Sequence, residues 1–178
     1  MHIDDGMLVN VFGHPCVGKS TLVDRIIQHQ DGIYTVDFDV IKRQMSGYYW
    51  KRDREFAAEL ARDTLNLVVK SGRPTVCLLP ITHNKEEYDF YFDFVNRTEY
   101  KVIDIMLTVE RNVLIERYKK RLENIRQQNP TFKVKTLDEF LDVLDQPTYM
   151  PDSTHVIDSG TLDEGEVYQE FLKILNEK

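Results

Sequence analysis

The segment GHPCVGKS, residues 13–20, constrains this chain more than any other feature. A glycine, four free positions and Gly-Lys-Ser form a pattern in which each fixed residue has a physical duty. Gly13 and Gly18 admit dihedrals and close approaches that a Cβ would block, so successive amide N–H groups can turn inward onto an anion. Lys19 reaches toward the β- and γ-phosphates of a bound polyphosphate, and the Ser20 hydroxyl is placed to ligate Mg²⁺. Such a loop works only between a strand and a helix, and both are written beside it. Residues 7–12 (MLVNVF) read as a buried strand, and residues 20–28, with Leu22, Val23, Ile26 and Ile27 apolar, as the helix. The helix N-terminus adds its own preference for anions. The expected nucleotide-binding set is Gly13, His14, Pro15, Cys16, Val17, Gly18, Lys19, Ser20 and Thr21; His14, Pro15 and Cys16 fill free positions and are assigned no side-chain chemistry.

The rest of the chain repeats the alternation. A short strand over 33–36 ends at Asp37-Phe-Asp39, a long helix covers 51–71, and a continuous apolar strand covers 74–81. A helix over 84–95, with Glu87 placed to complete its cap, precedes a strand over 101–109 and a helix over 112–128 that Pro130 breaks. Thr136/Glu139 and Thr161/Glu164 both match the capping-box pattern, and a last strand covers 155–158. Five strands alternating with helices predict an α/β three-layer sandwich with a five-stranded parallel sheet. In such sheets ligands bind beyond the carboxyl ends of the strands, where the loop, Asp37/Asp39 and a Ser159-Gly160 turn all fall.

A length of 178 residues suits one domain over 1–178, with a lid or acceptor segment at about 112–150. Two cysteines make no disulfide framework, and no leader or spanning run is visible, so the expected compartment is the cytoplasm with no membrane partner. The net charge of −7 argues against a surface dedicated to long nucleic acid. Residues 42–54 and 111–126 nevertheless each carry +4, leaving −15 for the remainder, so positive charge is concentrated where phosphate would be handled.

A phosphate loop alone allows a motor, a switch GTPase or a kinase. No Asp-x-x-Gly segment serves a GTPase, and the 74–81 strand carries Pro80 where a motor ATPase would carry an acidic residue. Asp37-x-Asp39 supplies paired carboxylates. Side-chain period two places both on one face at the strand end, one to assist Mg²⁺ through water and one to take the proton of an attacking hydroxyl. Asp39 is the first choice of base and Asp37 the second. Arg117 and Arg121, four residues apart, share a helix face. Arg121 falls close to Leu114 in the apolar stripe, where a merely solvated arginine is unexpected, and is the cation expected at the migrating phosphoryl group. Arg117 is the weaker of the two assignments and is placed with the nucleotide.

The order GHPCVGKS, DVIKR, ERYKKR resembles the P-loop kinase group that includes phage-type polynucleotide 5′-kinases and the zeta toxins, with nucleoside monophosphate kinases more distant. The resemblance spans about residues 7–126, with 150–178 fitting as the last strand and helix. It implies ATP as donor, Asp39 as general base, Lys42 or Arg43 orienting the acceptor, and Arg121 steadying the transferring group. The chain departs from many relatives at Leu79-Pro80-Ile-Thr82, where they carry an aspartate, and Thr82, His83 and Asn84 are the polar residues at hand.

Tyr48, Tyr49 and Trp50 follow the Lys42-Arg43 pair, and Tyr48 and Trp50 are expected either to stack on the acceptor or to staple the long helix to the core. Three readings stay open. The first is an ATP- and Mg²⁺-dependent kinase acting on a small-molecule or nucleotide acceptor. The second is a polynucleotide 5′-hydroxyl kinase, which the sequence pI of 5.3 disfavours. The third is a non-catalytic nucleotide-binding regulator.

Overall fold

The structure is a computed structural model that describes residues 3–128 and 136–176. The chain runs β1 (Met7–Phe12), α1 (Lys19–His29), β2 (Tyr34–Asp37), α2 (Phe38–Gln44), α3 (Trp50–Lys70), β3 (Thr75–Leu78), α4 (Lys85–Phe92), β4 (Lys101–Thr108), α5 (Arg111–Gln128), α6 (Leu137–Leu144), β5 (His155–Asp158) and α7 (Glu164–Asn176). The strands form one parallel sheet in the order β2-β3-β1-β4-β5. This is the α/β three-layer arrangement that the alternation predicts.

β1 lies at the centre because all six of its residues are buried, as a strand covered on both faces requires. Val9 and Val11 point into a core with α1, α5, α6 and α7, where Ile26, Leu114, Phe140 and Phe171 pack. Leu8 points the other way, into a core with α2, α3 and α4 that holds Ala57, Leu65 and Phe92. Among the described residues no helix is long and apolar enough to cross a membrane.

Four boundaries differ from the sequence reading, each for a local reason. β2 ends at Asp37, whose side chain accepts the amides of Asp39 and Val40 and so opens α2. Asp39 is therefore helical, and the strand-face pairing of the two carboxylates is replaced by a strand-to-helix corner. β3 stops at Leu78, before Pro80. α4 is shorter than 84–95; Asn84 caps it, while the Glu87 carboxylate reaches the amide of His83 (2.9 Å). At α7 the reciprocal cap joins Asp163 and Glu166 (2.8 and 2.9 Å), two residues beyond the Thr161/Glu164 pair, because the Thr161 hydroxyl bonds Asp158 instead. The Thr136/Glu139 box forms as expected.

Candidate active site

β1 delivers the chain to Gly13, whose φ is +134°; a Cβ there would sit 2.3 Å from the carbonyl oxygen of Leu107 in β4. The loop therefore leaves the sheet against its neighbour strand, and only glycine fits. Gly18 is the N-cap of α1 in the left-handed region, and no side chain caps this helix. The first-turn amides that every helix leaves unpaired are thus left for an anion. Cys16 adopts φ +70°, a conformation that costs a non-glycine residue about 1–2 kcal/mol. The structure braces that turn: Arg117 of α5 donates to the carbonyls of Cys16 (3.4 Å) and Ser159 (3.0 Å). The single Ser159 hydroxyl proton is shared between the carbonyls of Val17 (2.6 Å) and Thr108 (3.1 Å), the shorter contact being to Val17. Arg117, expected at the nucleotide, thus joins the loop to the Ser159-Gly160 turn.

Lys19 folds back over the loop, its Nζ donating to the carbonyls of Gly13 (2.7 Å) and His14 (2.9 Å). Burial, with a smaller push from Arg121, brings its pKa down to about 8, while Asp39 and Asp37 pull the other way. One ammonium therefore feels both carboxylates and the α5 guanidinium. His14 is held below the usual imidazole value by burial and by the charges of Lys19 and Arg111.

Asp37 Oδ1 accepts from the amides of Asp39 (2.7 Å) and Val40 (3.4 Å), which occupies one of its two oxygens. Asp39 pairs with Lys42, and Arg43 Nε donates to the Asp39 carbonyl (3.1 Å). Burial pushes the Asp39 carboxyl up, but the Lys42 hydrogen bond and the charges of Lys42, Lys19 and Arg43 together bring it below the usual range. Lys42 also sits 5.2 Å over the ring of Phe38 and 5.8 Å over that of Tyr48. Tyr48 packs on the α2–α3 core, and its buried hydroxyl finds no hydrogen-bond partner among the described residues. The Trp50 side chain lies outside the described residues.

Arg121 departs from the sequence reading: it is exposed. Leu114, Tyr118 and Leu122 carry the buried stripe. At 100° per residue Arg121 stands about 60° from the centre of that stripe, on its flank rather than inside it. Its charge still reaches Lys19.

Among the described residues no three His, Cys, Asp or Glu side chains form a metal-binding group. A Mg²⁺ ion held through the Ser20 hydroxyl, phosphate oxygens and water needs no such cage, so the exposed Ser20 and the free oxygen of Asp37 fit it. ATP fits equally: uncapped amides and a lysine amine are polyphosphate donors.

Sequence reasoning missed two features. One is the Ser159 brace. The other is a buried polar row across the sheet, in which Asn10 of β1 donates to Asp104 of β4 (2.7 Å) and Tyr88 of α4 donates to its second oxygen (2.8 Å). Both Asn10 and Asp104 interrupt apolar runs, which is the signal that could have found them.

Residues 8–147 match the family model AAA_33, an AAA domain. The chain belongs to the AAA domain family. No curated protein matches it in sequence. Among solved structures it is similar to one from Chloroflexus aurantiacus, with a TM-score of 0.70 at 16% identity over 96% of this chain and 98% of that one. A gluconokinase from Sinorhizobium meliloti superposes with a TM-score of 0.65 at 17% identity, over 96% and 92% of the two chains. The APS kinase of Mycobacterium tuberculosis, in complex with AMPPNP and APS, gives 0.63 at 15% identity over 97% and 99%. This AAA domain thus has the fold of P-loop kinases over nearly its whole length.

Proposed function

We propose that the protein is an ATP- and Mg²⁺-dependent phosphotransferase that moves a γ-phosphate to a hydroxyl or phosphate acceptor. The observation that carries this reading is the shared carboxyl edge of the parallel sheet. There β1 leads into the loop, where Lys19 lies on the carbonyls of Gly13 and His14. β2 ends there at the Asp37–Asp39 corner, whose charges act on Lys19 with that of Arg121. A loop that only bound nucleotide would need the lysine and the amides, not a carboxylate and a second cation beside them.

In this reading the amides over Gly13–Thr21 hold the phosphates and Lys19 contacts the terminal one. Mg²⁺, when bound, neutralises charge on the phosphate oxygens, with Ser20 as ligand and Asp37 acting through water. Asp39 is ionised at neutral pH like any carboxylate near or below its usual range, and is the group assigned to accept the proton of the attacking hydroxyl as it leaves. Lys42 and Arg43, with Tyr48 and Trp50, are the residues this reading assigns to the reacting hydroxyl of the acceptor. Arg121 meets the charge that spreads over the transferring group. α5 and α6, with the Arg111–Asp145 pair (2.6 Å), form the lid or acceptor segment of this single domain. The two free cysteines suit a cytoplasmic protein. The similar gluconokinase and APS kinase support the reaction class.

The test is transfer of label from γ-labelled ATP by the wild type and by Lys19→Ala, with MgATP affinity measured by calorimetry. Loss of both in the variant supports the reading. Tight MgATP binding by the wild type with no transfer to any acceptor would leave a nucleotide-binding regulator.

A further inference from the structure

At the carboxyl edge of the sheet, a cleft of about 770 Å³ opens between the first half of α3 and the stretch running from β3 into α4. Its position follows from the sheet. Asn10 of β1 is level with Cys77 of β3, and beyond them Phe12 and Pro80 line one small gap at the same edge. One wall presents Arg54, Glu55 and Glu59, and the other Thr82, Asn84 and Glu86. Pro80 and Thr82 line both this cleft and that gap, and Phe12 is the residue before the loop, so the cleft lies within a few residues of the phosphate-binding segment. The volume is of the size that encloses a small molecule.

Charge selects the class of that molecule. Three cations and four carboxylates line the cleft; with Arg52 held by Asp53 (2.6 and 2.7 Å) and Glu87 by the His83 amide (2.9 Å), the carboxylates still exceed the cations by one. A polynucleotide or a nucleotide would bring phosphates against the excess carboxylates, whereas polyanion sites carry a positive excess. An uncharged, hydroxyl-rich molecule meets the opposite condition. Each of its hydroxyls both donates and accepts, so it can meet the carboxylates of Glu55, Glu59 and Glu86 and the hydroxyl of Thr82 without setting a like charge beside them.

We propose, resting on the phosphotransfer reading above, that this cleft holds the acceptor and that the acceptor is a small, uncharged, polyhydroxylated molecule of sugar size. In the transfer, an acceptor hydroxyl oxygen forms a bond to the γ-phosphorus of ATP. The bond from that phosphorus to the β,γ-bridging oxygen breaks, its electron pair leaves on ADP, and the hydroxyl proton passes to Asp39.

The experiment offers the full chain γ-labelled MgATP with D-ribose, D-glucose, myo-inositol, glycerol, AMP and a 5′-hydroxyl oligonucleotide. Saturation-transfer NMR measures binding of the four polyols separately. At least one polyol is expected to accept label, with its KM raised about tenfold in Glu55→Gln/Glu59→Gln and the MgATP affinity unchanged. Preference for AMP or the oligonucleotide over every polyol, or an unmoved KM in the double variant, overturns the proposal while leaving the phosphotransfer reading intact. Failure of label to reach any acceptor, with MgATP still bound, overturns that reading instead. The cleft is then judged by NMR alone: polyol binding lost in the double variant supports it, and no polyol binding to the wild type overturns it.

Discussion

The Oδ1 atom of Asp37 lies 2.7 Å from the amide nitrogen of Asp39, and this contact fixes where the second carboxylate stands. It turns the strand into α2 and leaves the Asp39 carboxylate beside Lys42, within the field of Lys19. The two aspartates should therefore fail differently. Asp39→Ala is expected to lower turnover by at least about a hundredfold with MgATP affinity nearly unchanged. Asp37→Ala is expected to lower stability by about 1 kcal/mol through loss of the cap, together with activity. Steady-state kinetics and denaturant titration of both variants check this; normal turnover in Asp39→Ala would move the base role to Asp37.

MgATP affinity is expected to fall as pH rises through about 8. The free protein holds Lys19 at about 8, below the usual lysine value, so above that pH the amine is increasingly neutral and must take up a proton to meet the phosphates. The expected loss approaches about tenfold per pH unit. Calorimetry from neutral to alkaline pH in the wild type and in Lys19→Arg, which keeps its charge, separates this from general effects: the variant should lack the limb.

Arg121→Ala is expected to reduce kcat by about a hundredfold or more while changing nucleotide affinity little, as for a charge used chiefly in the transition state. Arg117→Ala should differ, because its guanidinium links the carbonyls of Cys16 and Ser159: nucleotide affinity and melting temperature should fall together. Equal loss of affinity in both variants would contradict the distinction.

The buried carboxyl of Asp104 is pushed up by burial, against the hydrogen bonds from Asn10 and Tyr88. A carboxyl raised on folding contributes its stability below its unfolded value and loses it as pH rises through the folded one. Asp104→Asn should therefore gain on the wild type as pH rises from about 4 to 7. Asp104→Ala, which strands two buried donors, should cost about 1–3 kcal/mol for each. Chemical denaturation across that range measures both.

The loop was legible in the sequence because its chemistry is local: Gly13, Gly18, Lys19 and Ser20 act through their own dihedrals and reach. The parallel sheet was legible because MLVNVF is a short, fully buried run leading into the loop and the remaining short strand runs alternate with helical patterns. What was misread turned on competition between nearby polar groups. Asp37 won the role of cap, which took Asp39 out of the strand, and Asp163 displaced Thr161 at the start of α7. The Arg117–Ser159 brace spans 42 residues of sequence and leaves no local mark. The cleft at Pro80–Thr82 is likewise made by two distant helices meeting, not by any motif.

The most direct test of the central claim is a crystal structure with Mg²⁺ and a non-hydrolysable ATP analogue. The expected result has Lys19 Nζ and the Arg121 guanidinium hydrogen-bonded to the γ-phosphate, with the Asp39 carboxylate facing the open side of that phosphorus toward the α3–α4 cleft. A γ-phosphate bound by the loop with Arg121 and Asp39 both turned away from it would contradict the claim.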